Sequence, residues 1–399
     1  MLFHSFVICS LALIQTAETR QDSPTTAQKP LVFGMSTALT GPASDLGQEM
    51  RAGVLAAFEE ANRAGGINGS HLELISYDDG YEPKRTVPNM NRLITEDQVL
   101  GIIGNVGTPT AVAALPVAAK ELIPFVFPYT GAGVLRRNPA DPNVINFRAS
   151  YAEETAAMVD ALIEGTGILP TEIAFFTQRD AYGDAGFYGG LKALRRHGAK
   201  DTDHIPHGRY ERNSLAVENG VADLLLAPIQ PKAVILVGTY APCAKAIRLA
   251  KEAGLEALFL NVSFVGATSL AKELGEAGDG VIVTQVVPHF DSELPLVQQY
   301  RKAIRFQNKK RALSFPSLEG YVAGRILVKA LKNSSGEIDR QAVVPLLLQL
   351  GEFDCGLGIK LRLNKGEHQA SHSVWPTVIR KGKVHSINWN EVSIVKQPS

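Results

Sequence analysis

The sequence predicts an α/β protein of two Rossmann-like lobes, each built around a parallel sheet. The chain has 399 residues, which exceeds the ~100 to 200 residues of an ordinary single domain. Short β-rich runs alternate with longer amphipathic stretches, which is the pattern of βαβ units around a parallel sheet. The composition is 45% hydrophobic and 20% charged, so a substantial core can be buried.

Two successive series of elements carry this pattern. The first has predicted strands at 31–36, 71–77, 99–103 and 125–127, with helices at about 46–64, 84–95 and 111–120. The second follows Arg148, with strands at 172–176, 233–237, 258–260 and 280–283, and helices at 152–164, 186–197 and 241–253. Two α/β lobes of similar plan therefore stand in tandem.

The pattern changes in the last quarter of the chain. Three helical stretches are predicted between residues 294 and 350, and residues 359–389 alternate apolar and polar side chains as antiparallel strands do. This change indicates that the chain recrosses between the lobes. The late helices would complete the first lobe, and the terminal strands would return to the second.

The amino terminus predicts export. Residues 1–17 resemble a secretory signal peptide, and residues 18–30 a flexible tether. Cys9 follows Phe6-Val7-Ile8 rather than a small residue, which argues against a lipoprotein. No later apolar run approaches the ~20 residues that span a bilayer, so we expect a soluble periplasmic protein. Cys243 and Cys355 are too few for a disulfide framework and are better explained as free thiols than as a bridge.

The charge balance restricts the classes of molecule that this protein could bind. Forty basic and forty acidic residues give a formal net charge of zero, so no overall field attracts nucleic acid or anionic lipid. A small uncharged or zwitterionic partner fits better.

Two loops at predicted strand ends are the first candidates for ligand contact, because open parallel sheets bind ligands beyond the carboxyl ends of their strands. In one loop the Thr108 hydroxyl, backbone amides and a helix dipole could hold a carboxylate. The alternative is that Thr108 only caps a helix that starts at Pro109. In the other loop Tyr129, Thr130 and Gly131 allow close approach to a ligand, although an ordinary glycine-rich turn would have the same sequence.

Tyrosines recur at the other strand ends. Tyr151 follows Ser150, and Tyr182 and Tyr240 follow two strands of the second series. A tyrosine ring can bury apolar ligand surface while its hydroxyl donates a hydrogen bond. The alternative for each is ordinary core packing.

Signals for catalysis and metal binding are weak. The sequence lacks a phosphate-binding loop, a Gly-x-Ser-x-Gly elbow, a His-Glu-x-x-His pair and a Gly-x-Gly-x-x-Gly turn. His204 with His207, and His368 with His372, have only loose metal-like spacing. Asp78 and Asp79 could act as a pair of catalytic general bases, but adjacent aspartates at the end of a strand more often set a turn. We therefore expect no catalytic residue, metal or cofactor.

Several short motifs together resemble the leucine/isoleucine/valine-binding-type receptors of ABC importers. The resemblance runs from about residue 31 to residue 389, and the order and spacing of the motifs make it specific. The motifs are STALTGPA (36–43), AGGING (64–69), YDD (77–79), IG (103–104), FR (147–148) and AYG (181–183).

The resemblance implies a type I periplasmic binding fold, with two lobes joined by a three-strand hinge. Crossovers would lie near Arg148, Pro288 and Gly356, so that lobe 1 comprises 31–148 plus 289–355 and lobe 2 comprises 149–288 plus 356–392. The ligand's carboxylate would meet Thr108 and the loop at 129–131. Aromatic side chains at positions such as Tyr182 and Tyr240 would cover the ligand from the second lobe.

One departure from the family pattern bears on the ligand. Branched-chain receptors place an acid in the loop after the strand at residue 260, to hold the ligand's ammonium, whereas this chain has Ser263 there. A ligand without a free α-ammonium, such as an aromatic or aliphatic acid, therefore stays open. Glu319 could compensate for the missing charge, or could simply begin a helix.

The sequence as a whole predicts an exported solute-binding protein that closes around an amino acid or organic acid and delivers it to an ABC permease. Two alternatives stay open. The same module could present its closed form to a membrane signalling partner, or it could be an enzyme on a doubly wound fold.

Overall fold

The computed structural model describes Met1 and residues 29–395. The predicted signal peptide and most of the predicted tether lie outside the described residues. The strands form one sheet of five, one sheet of seven and a separate two-stranded hairpin. Among the described residues, no helix is both long and apolar enough to cross a membrane.

The five-stranded sheet is parallel and has the order β2-β1-β3-β4-β5. Its strands are β1 (Leu31–Thr37), β2 (Leu72–Asp78), β3 (Ile102–Ile103), β4 (Phe125–Val126) and β5 (Val144–Ile145). A parallel sheet is covered on both faces, so its strands are continuous apolar runs rather than alternating ones. β1 follows this rule, since all its residues except Val32 are buried.

The seven-stranded sheet has the order β14-β13-β10-β9-β8-β6-β7. Its strands are β6 (Ile173–Gln178), β7 (His207–Tyr210), β8 (Ala233–Val237), β9 (Leu258–Asn261), β10 (Ile282–Gln285), β13 (Trp375–Arg380) and β14 (Lys383–Ser386). The strands from β6 to β10 are parallel, whereas β13 pairs antiparallel with β10 and β14. The terminal strands thus join the second sheet.

Helices surround both sheets. They are α1 (Ser44–Arg63), α2 (Pro83–Thr95), α3 (Thr108–Lys120), α4 (Tyr151–Thr166), α5 (Ala181–Arg196), α6 (Glu218–Leu225), α7 (Tyr240–Glu252), α8 (Ala267–Leu274), α9 (Pro295–Gln307), α10 (Phe315–Leu331) and α11 (Val343–Leu348). The late helix α10 packs on α1, which in turn contacts β1 and β2 of the five-stranded sheet.

Glycines allow α1 and α10 to approach each other closely. A Cβ at Gly53 would lie 2.0 Å from the Ser317 carbonyl oxygen, and one at Gly320 would lie 2.3 Å from the Met50 carbonyl oxygen. Any side chain at either position would push the helices apart. This contact fixes α10, and with it Glu319, against α1.

Two chain segments run side by side between the sheets. The Asn146 N–H donates to the His368 carbonyl at 2.7 Å, and the Ala370 N–H donates to the Asn146 carbonyl at 2.9 Å. The first segment follows β5 and the second precedes β13. Before the second segment lies the hairpin of β11 (Gly351–Asp354) and β12 (Lys360–Leu363). The predicted division between residues 355 and 356 falls in the turn of this hairpin, and the lobe boundaries stay predictions.

Candidate ligand-binding site

Loops at the carboxyl ends of both sheets meet around one aromatic side chain, Phe264. Its ring centroid lies 6.0 Å from that of Tyr81, 5.3 Å from Tyr129, 6.5 Å from Tyr151 and 4.7 Å from Tyr182. Tyr81 and Tyr129 follow β2 and β4 of the first sheet, whereas Tyr182 and Phe264 follow β6 and β9 of the second. All five side chains are buried. We call these five residues the aromatic cluster.

A buried arginine lies beside the aromatic cluster. The Cζ of Arg148 is 4.7 Å from the ring centroid of Tyr129, within the range of a cation–π contact. One of its terminal nitrogens, Nη2, donates to the Ser263 hydroxyl. Glu154 Oε1 lies 3.6 Å from Nη2, and Glu319 Oε1 lies 3.7 Å from Nε. We call Arg148, Glu154, Ser263 and Glu319 the Arg148 centre.

The charge of Arg148 is retained despite its complete burial. Burial alone would lower the pKa of the guanidinium, because a low-dielectric environment disfavours the charged form. Glu319 and Glu154 more than offset that effect, and the pKa of Arg148 is raised above its ordinary value. The site therefore contains a permanent buried cation.

Glu154 is saturated with hydrogen bonds. Its carboxylate accepts from the Ser263 N–H at 2.7 Å, from the Ser263 hydroxyl at 3.0 Å and from the Thr284 hydroxyl at 2.5 Å. Glu154 lies in the first turn of α4, whereas Ser263 and Thr284 belong to the second sheet's strand ends. This carboxylate thus joins α4 to the second sheet.

Glu319 has a different environment. It is 3% exposed, and within residues 29–395 no group donates a hydrogen bond to it. Burial raises the pKa of its carboxyl group, Arg148 lowers it and Glu154 raises it, with the result that the pKa is about 7. Glu319 can therefore change its protonation state near neutral pH.

Three buried donors of the site lack an acceptor in the described part of the chain. They are Nε and Nη1 of Arg148 and the hydroxyl of Tyr151. Thr130 lies close enough to affect the pKa of Tyr151, which burial raises to about 12, but the contact lacks hydrogen-bond geometry. An unpaired buried donor is costly, so these atoms are the strongest indication of where a ligand group would bind.

The two predicted threonines hydrogen-bond each other. Thr108 Oγ1 and Thr130 Oγ1 are 2.7 Å apart and both side chains are buried. Thr108 is the first residue of α3, and Gly107 occupies the capping position without a side-chain cap. The structure thus brings together the two loops that the sequence singled out, but their hydroxyls are partly engaged.

Gly131 and Ser150 shape the backbone beside Tyr151. A Cβ at Gly131 would lie 2.6 Å from the Tyr151 nitrogen, so only glycine fits at this crossing. The Ser150 hydroxyl accepts a hydrogen bond from the Glu153 N–H at 3.2 Å, and Glu153 accepts one from the Ser150 N–H at 2.6 Å. Ser150 is therefore a helix cap for α4.

Tyr240 lies outside the aromatic cluster. It is the first residue of α7 and lies against Ser44 and Asp45 at the start of α1. Burial, followed by the charge of Asp45, raises the pKa of its hydroxyl to about 12. Tyr240 thus contacts the opposite side of the cleft at its rim.

Polar contacts link the two sides of the cleft around this site. Arg212 forms an ion pair with Glu82 at 3.1 Å, and the Asn213 side-chain amide donates to Glu82 at 2.6 Å. The Ser269 hydroxyl donates to Asp45 at 2.8 Å. The structure is therefore in a closed arrangement, with the aromatic cluster inside.

Sequence reasoning did not assign four important site residues. Arg148 belongs to the FR motif but was assigned only to a crossover, and Tyr81 and Phe264 were not considered. Glu154 is preceded by Glu153, and both look like ordinary acids in the first turn of a helix. The one available signal was the position of Arg148, a charge between apolar residues immediately after a strand.

Asp78 and Asp79 hold the loop that presents Tyr81. Asp79 accepts hydrogen bonds from the Ser36 hydroxyl at 2.8 Å, the Tyr81 N–H at 2.9 Å and the Thr86 hydroxyl at 3.1 Å. Burial raises the pKa of Asp79 to about 6. Its contacts are those of a residue that sets a turn.

The histidines and cysteines singled out from the sequence have other partners. His207 stacks on Phe187 at 3.8 Å, and His372 lies 2.6 Å from Glu153. Cys243 and Cys355 are free thiols. Within the described ranges, no group of three or more His, Cys, Asp or Glu side chains could hold a metal ion.

Comparison with known proteins gives a consistent picture. Residues 30–383 match the model of a family described as "Periplasmic binding protein". The "Leucine-, isoleucine-, valine-, threonine-, and alanine-binding protein" of Pseudomonas aeruginosa is 27% identical over 337 residues, which cover 80% of this chain and 83% of that protein.

Solved structures agree with this fold. A crystal structure from Rhodopirellula baltica SH 1, described as "a possible leucine/isoleucine/valine-binding protein", is 54% identical, with a TM-score of 0.90 over 93% of this chain and 99% of that one. A "substrate-binding periplasmic protein" from Ralstonia solanacearum is 28% identical, with a TM-score of 0.81 over 90% of this chain and 100% of that one.

Proposed function

Because the chain belongs to the periplasmic binding protein family, we propose that it captures an amino acid or a related small carboxylate in the cleft between its sheets. Capture occurs by hinge closure, and the loaded protein delivers its solute to an ABC importer in the membrane. The family and the named relatives are binding proteins. The chain is thus a solute-binding protein and not an enzyme.

One observation supports this proposal most strongly. Phe264 and Tyr182 from the second sheet pack directly on Tyr129 and Tyr151, beside the buried charge of Arg148. Apolar walls with a few placed polar groups are the usual composition of a small-molecule site. Because the walls come from both sheets, opening the cleft would take the site apart.

The proposed binding residues come from loops on both sides of the cleft. Those nearest the aromatic cluster and the Arg148 centre are Thr108, Tyr129, Thr130, Gly131, Tyr151, Tyr182, Ser263 and Glu319. Ser150 and Tyr240 support this group from the cap of α4 and from the rim.

The names of the relatives support the ligand class. The Pseudomonas aeruginosa relative is named for binding leucine, isoleucine, valine, threonine and alanine, which share a carboxylate and a small side chain. The predicted signal peptide and the family description support a periplasmic location and a partnership with an ABC permease. The lobe divisions at 148, 288 and 355 are part of the same proposal.

Hinge closure needs a source of free energy. A solute shifts the equilibrium only through its higher affinity for the closed form. The rim contacts made by Arg212, Asn213 and Ser269 exist only when the two sides meet. Shifting the equilibrium from 1% to 99% closed requires a preference of about 5.5 kcal/mol for the closed form, which is less than the ~8 kcal/mol that an affinity of ~1 μM represents.

Calorimetry and scattering together test this function. The purified protein is titrated with a panel of amino acids and organic acids, and small-angle scattering is recorded with and without each compound. We expect at least one compound to bind and to reduce the radius of gyration. Absence of binding across the panel, or binding with an unchanged radius, would contradict the proposal.

A further inference from the structure

The Arg148 centre contains an excess of unsatisfied donors. Nε and Nη1 of Arg148 and the Tyr151 hydroxyl have no acceptor among residues 29–395, and both side chains are completely buried. Arg148 Cζ lies 6.0 Å from the Tyr151 ring centroid, so the donors lie in one region. Several donors around one buried cation are complementary to an anion with more than one acceptor atom.

No neighbouring acid satisfies these donors. The Glu154 carboxylate is occupied by Ser263 and Thr284. Glu319 Oε1 lies 3.7 Å from Arg148 Nε, which is beyond hydrogen-bond distance. The Thr130 hydroxyl is paired with that of Thr108 and accepts from the Ala132 N–H at 3.3 Å. Among residues 29–395 the three donors have no partner, so the oxygens of a bound anion would complete their hydrogen bonding.

We propose that Arg148 and Tyr151 form the subsite that binds the carboxylate of the solute. This inference rests on the proposed function and deepens it. It moves the anion-binding role from Thr108 and its loop to the segment that follows β5.

Glu319 couples this binding to a proton. The charged groups that act on it are Arg148, Glu154 and Arg136, and the titratable hydroxyl of Tyr129 also interacts electrostatically with it. A solute carboxylate on Arg148 adds a negative charge beside Glu319, and a nearby like charge disfavours ionisation of a buried acid. Glu319 therefore takes up a proton when the solute binds, and its carboxyl O–H becomes a further donor.

An amino acid would bind with a different charge balance. An ammonium group requires an ionised carboxylate with free oxygens close to it. Glu154 has its oxygens engaged by three hydrogen bonds, and Ser263 carries no charge and is already bonded to Arg148 and Glu154. Glu319 is then the acid of the Arg148 centre that can face an ammonium, and the ammonium would hold it ionised. Proton uptake on binding therefore distinguishes an acid without an α-ammonium from an amino acid.

Matched compounds test the carboxylate subsite. The wild-type protein is titrated with 4-methylpentanoate, with leucine, which adds the α-ammonium, and with 4-methylpentanamide, which removes the carboxylate charge. 3-Phenylpropanoate and phenylalanine form a second pair. We expect at least one compound with a carboxylate to bind at least tenfold more tightly than the amide, with proton uptake for an acid and none for an amino acid. Equal or tighter binding of the amide would overturn the inference.

Two conservative variants test the residues without removing Arg148, whose loss would threaten the fold. Tyr151→Phe removes one unpaired donor, and we expect the affinity for the acid to fall about tenfold, as for a hydrogen bond to a charged group. Tyr77→Phe is the matched control, because the Tyr77 hydroxyl already pairs with Asp97 at 2.8 Å. Unchanged affinity in Tyr151→Phe would remove this tyrosine from the subsite.

Proton uptake is measured at pH 8 from the dependence of the binding heat on the ionisation enthalpy of the buffer. We expect uptake by the wild type and none by Glu319→Gln, each measured at acid concentrations that saturate the protein. Uptake that persists in Glu319→Gln would overturn the coupling. If a carboxylate compound binds and compacts the protein no more tightly than its amide, the proposed function stands and this inference fails. If nothing in the panel binds, the proposed function fails.

Discussion

The two carboxylates that flank Arg148 show how differently one fold can treat the same chemical group. Glu154, on α4, accepts hydrogen bonds from a backbone amide and two hydroxyls. Glu319, on α10, accepts none in the described structure and has a pKa of about 7. Both are buried and both lie within 4 Å of the same guanidinium.

This difference gives Glu154 a structural role and Glu319 a role in the response to a solute. A buried charge that is fully hydrogen-bonded is expensive to disturb, so Glu154 fixes Arg148 and Ser263 relative to the second sheet. A buried acid without donors is close to protonation, so Glu319 can respond to a change of charge nearby. One side of Arg148 is therefore rigid, and the other can adapt to a solute.

The largest expected effect comes from Glu154→Ala. Removing this carboxylate leaves Ser263 and Thr284 without their acceptor and removes half of the counter-charge of Arg148. Breaking a buried ion pair from one side costs ~3–5 kcal/mol, and we expect the free energy of unfolding in urea to fall by about this amount. Glu153→Ala, a change in the neighbouring acid, should cost ~1 kcal/mol through the lost helix cap. Equal losses of unfolding free energy in Glu154→Ala and Glu153→Ala would contradict the supporting role of Glu154.

Glu319→Gln should raise the free energy of unfolding at pH 8, whereas Glu154→Ala lowers it. Its folded-state pKa of about 7 exceeds the ordinary value, so the folded protein binds more protons than the unfolded chain between about pH 4.5 and 7. Stability from this group is therefore present at low pH and lost as the pH rises to 7, by an amount on the order of 3 kcal/mol. Urea unfolding at pH 5 and pH 8 should show the variant gaining stability over the wild type only at pH 8. A variant less stable at pH 8 would contradict this.

Thr108→Val should have a smaller effect. The lost hydrogen bond to Thr130 is neutral and buried, so unfolding should become easier by ~1 kcal/mol. Affinity for the acid should change by less than about threefold, equivalent to under ~0.7 kcal/mol. Calorimetry on Thr108→Val and on Tyr151→Phe decides which loop binds the carboxylate. A tenfold loss of affinity in Thr108→Val alone would show that the carboxylate binds at the start of α3.

The smallest effect is expected at the rim. Arg212 forms ion pairs with Glu82 across the cleft and with Asp180 on its own side, and its side chain is 24% exposed. Exposed ion pairs contribute ~0.2–1 kcal/mol, so Arg212→Ala should weaken solute binding two- to threefold and leave unfolding nearly unchanged. Arg179→Ala is the control, since Arg179 pairs with Glu211 on its own side of the cleft. If both variants weaken solute binding equally, the rim ion pair does not contribute specifically to closure.

The sequence predicted most of the fold because parallel strands are distinctive. The strand at Ala233–Val237 is as predicted, since its continuous apolar run fits only a strand covered on both faces. The strand at His207–Tyr210 was missed because it lies at the edge of its sheet and mixes polar residues with a glycine. Edge strands have no requirement for a long apolar run, so periodicity does not reveal them.

The site was harder to predict than the fold. Strand ends pointed to the loops of Thr108, Tyr129 and Tyr182, because topology places strand ends together. The burial of Glu154 could not be distinguished from the exposure of a first-turn acid, since it depends on contacts with Ser263 and Thr284 more than 100 residues away. Hydrogen bonds between distant segments do not leave a local pattern.

The central claim is that Arg148 and Tyr151 bind the carboxylate of the solute. It is tested most directly by a crystal structure of the protein with the tightest-binding acid of the panel, grown at pH 6, where Glu319 is expected to be protonated. The account predicts carboxylate oxygens within hydrogen-bond distance of the Arg148 guanidinium and the Tyr151 hydroxyl. A carboxylate held instead by Thr108, Thr130 and the backbone amides at the start of α3 would contradict it.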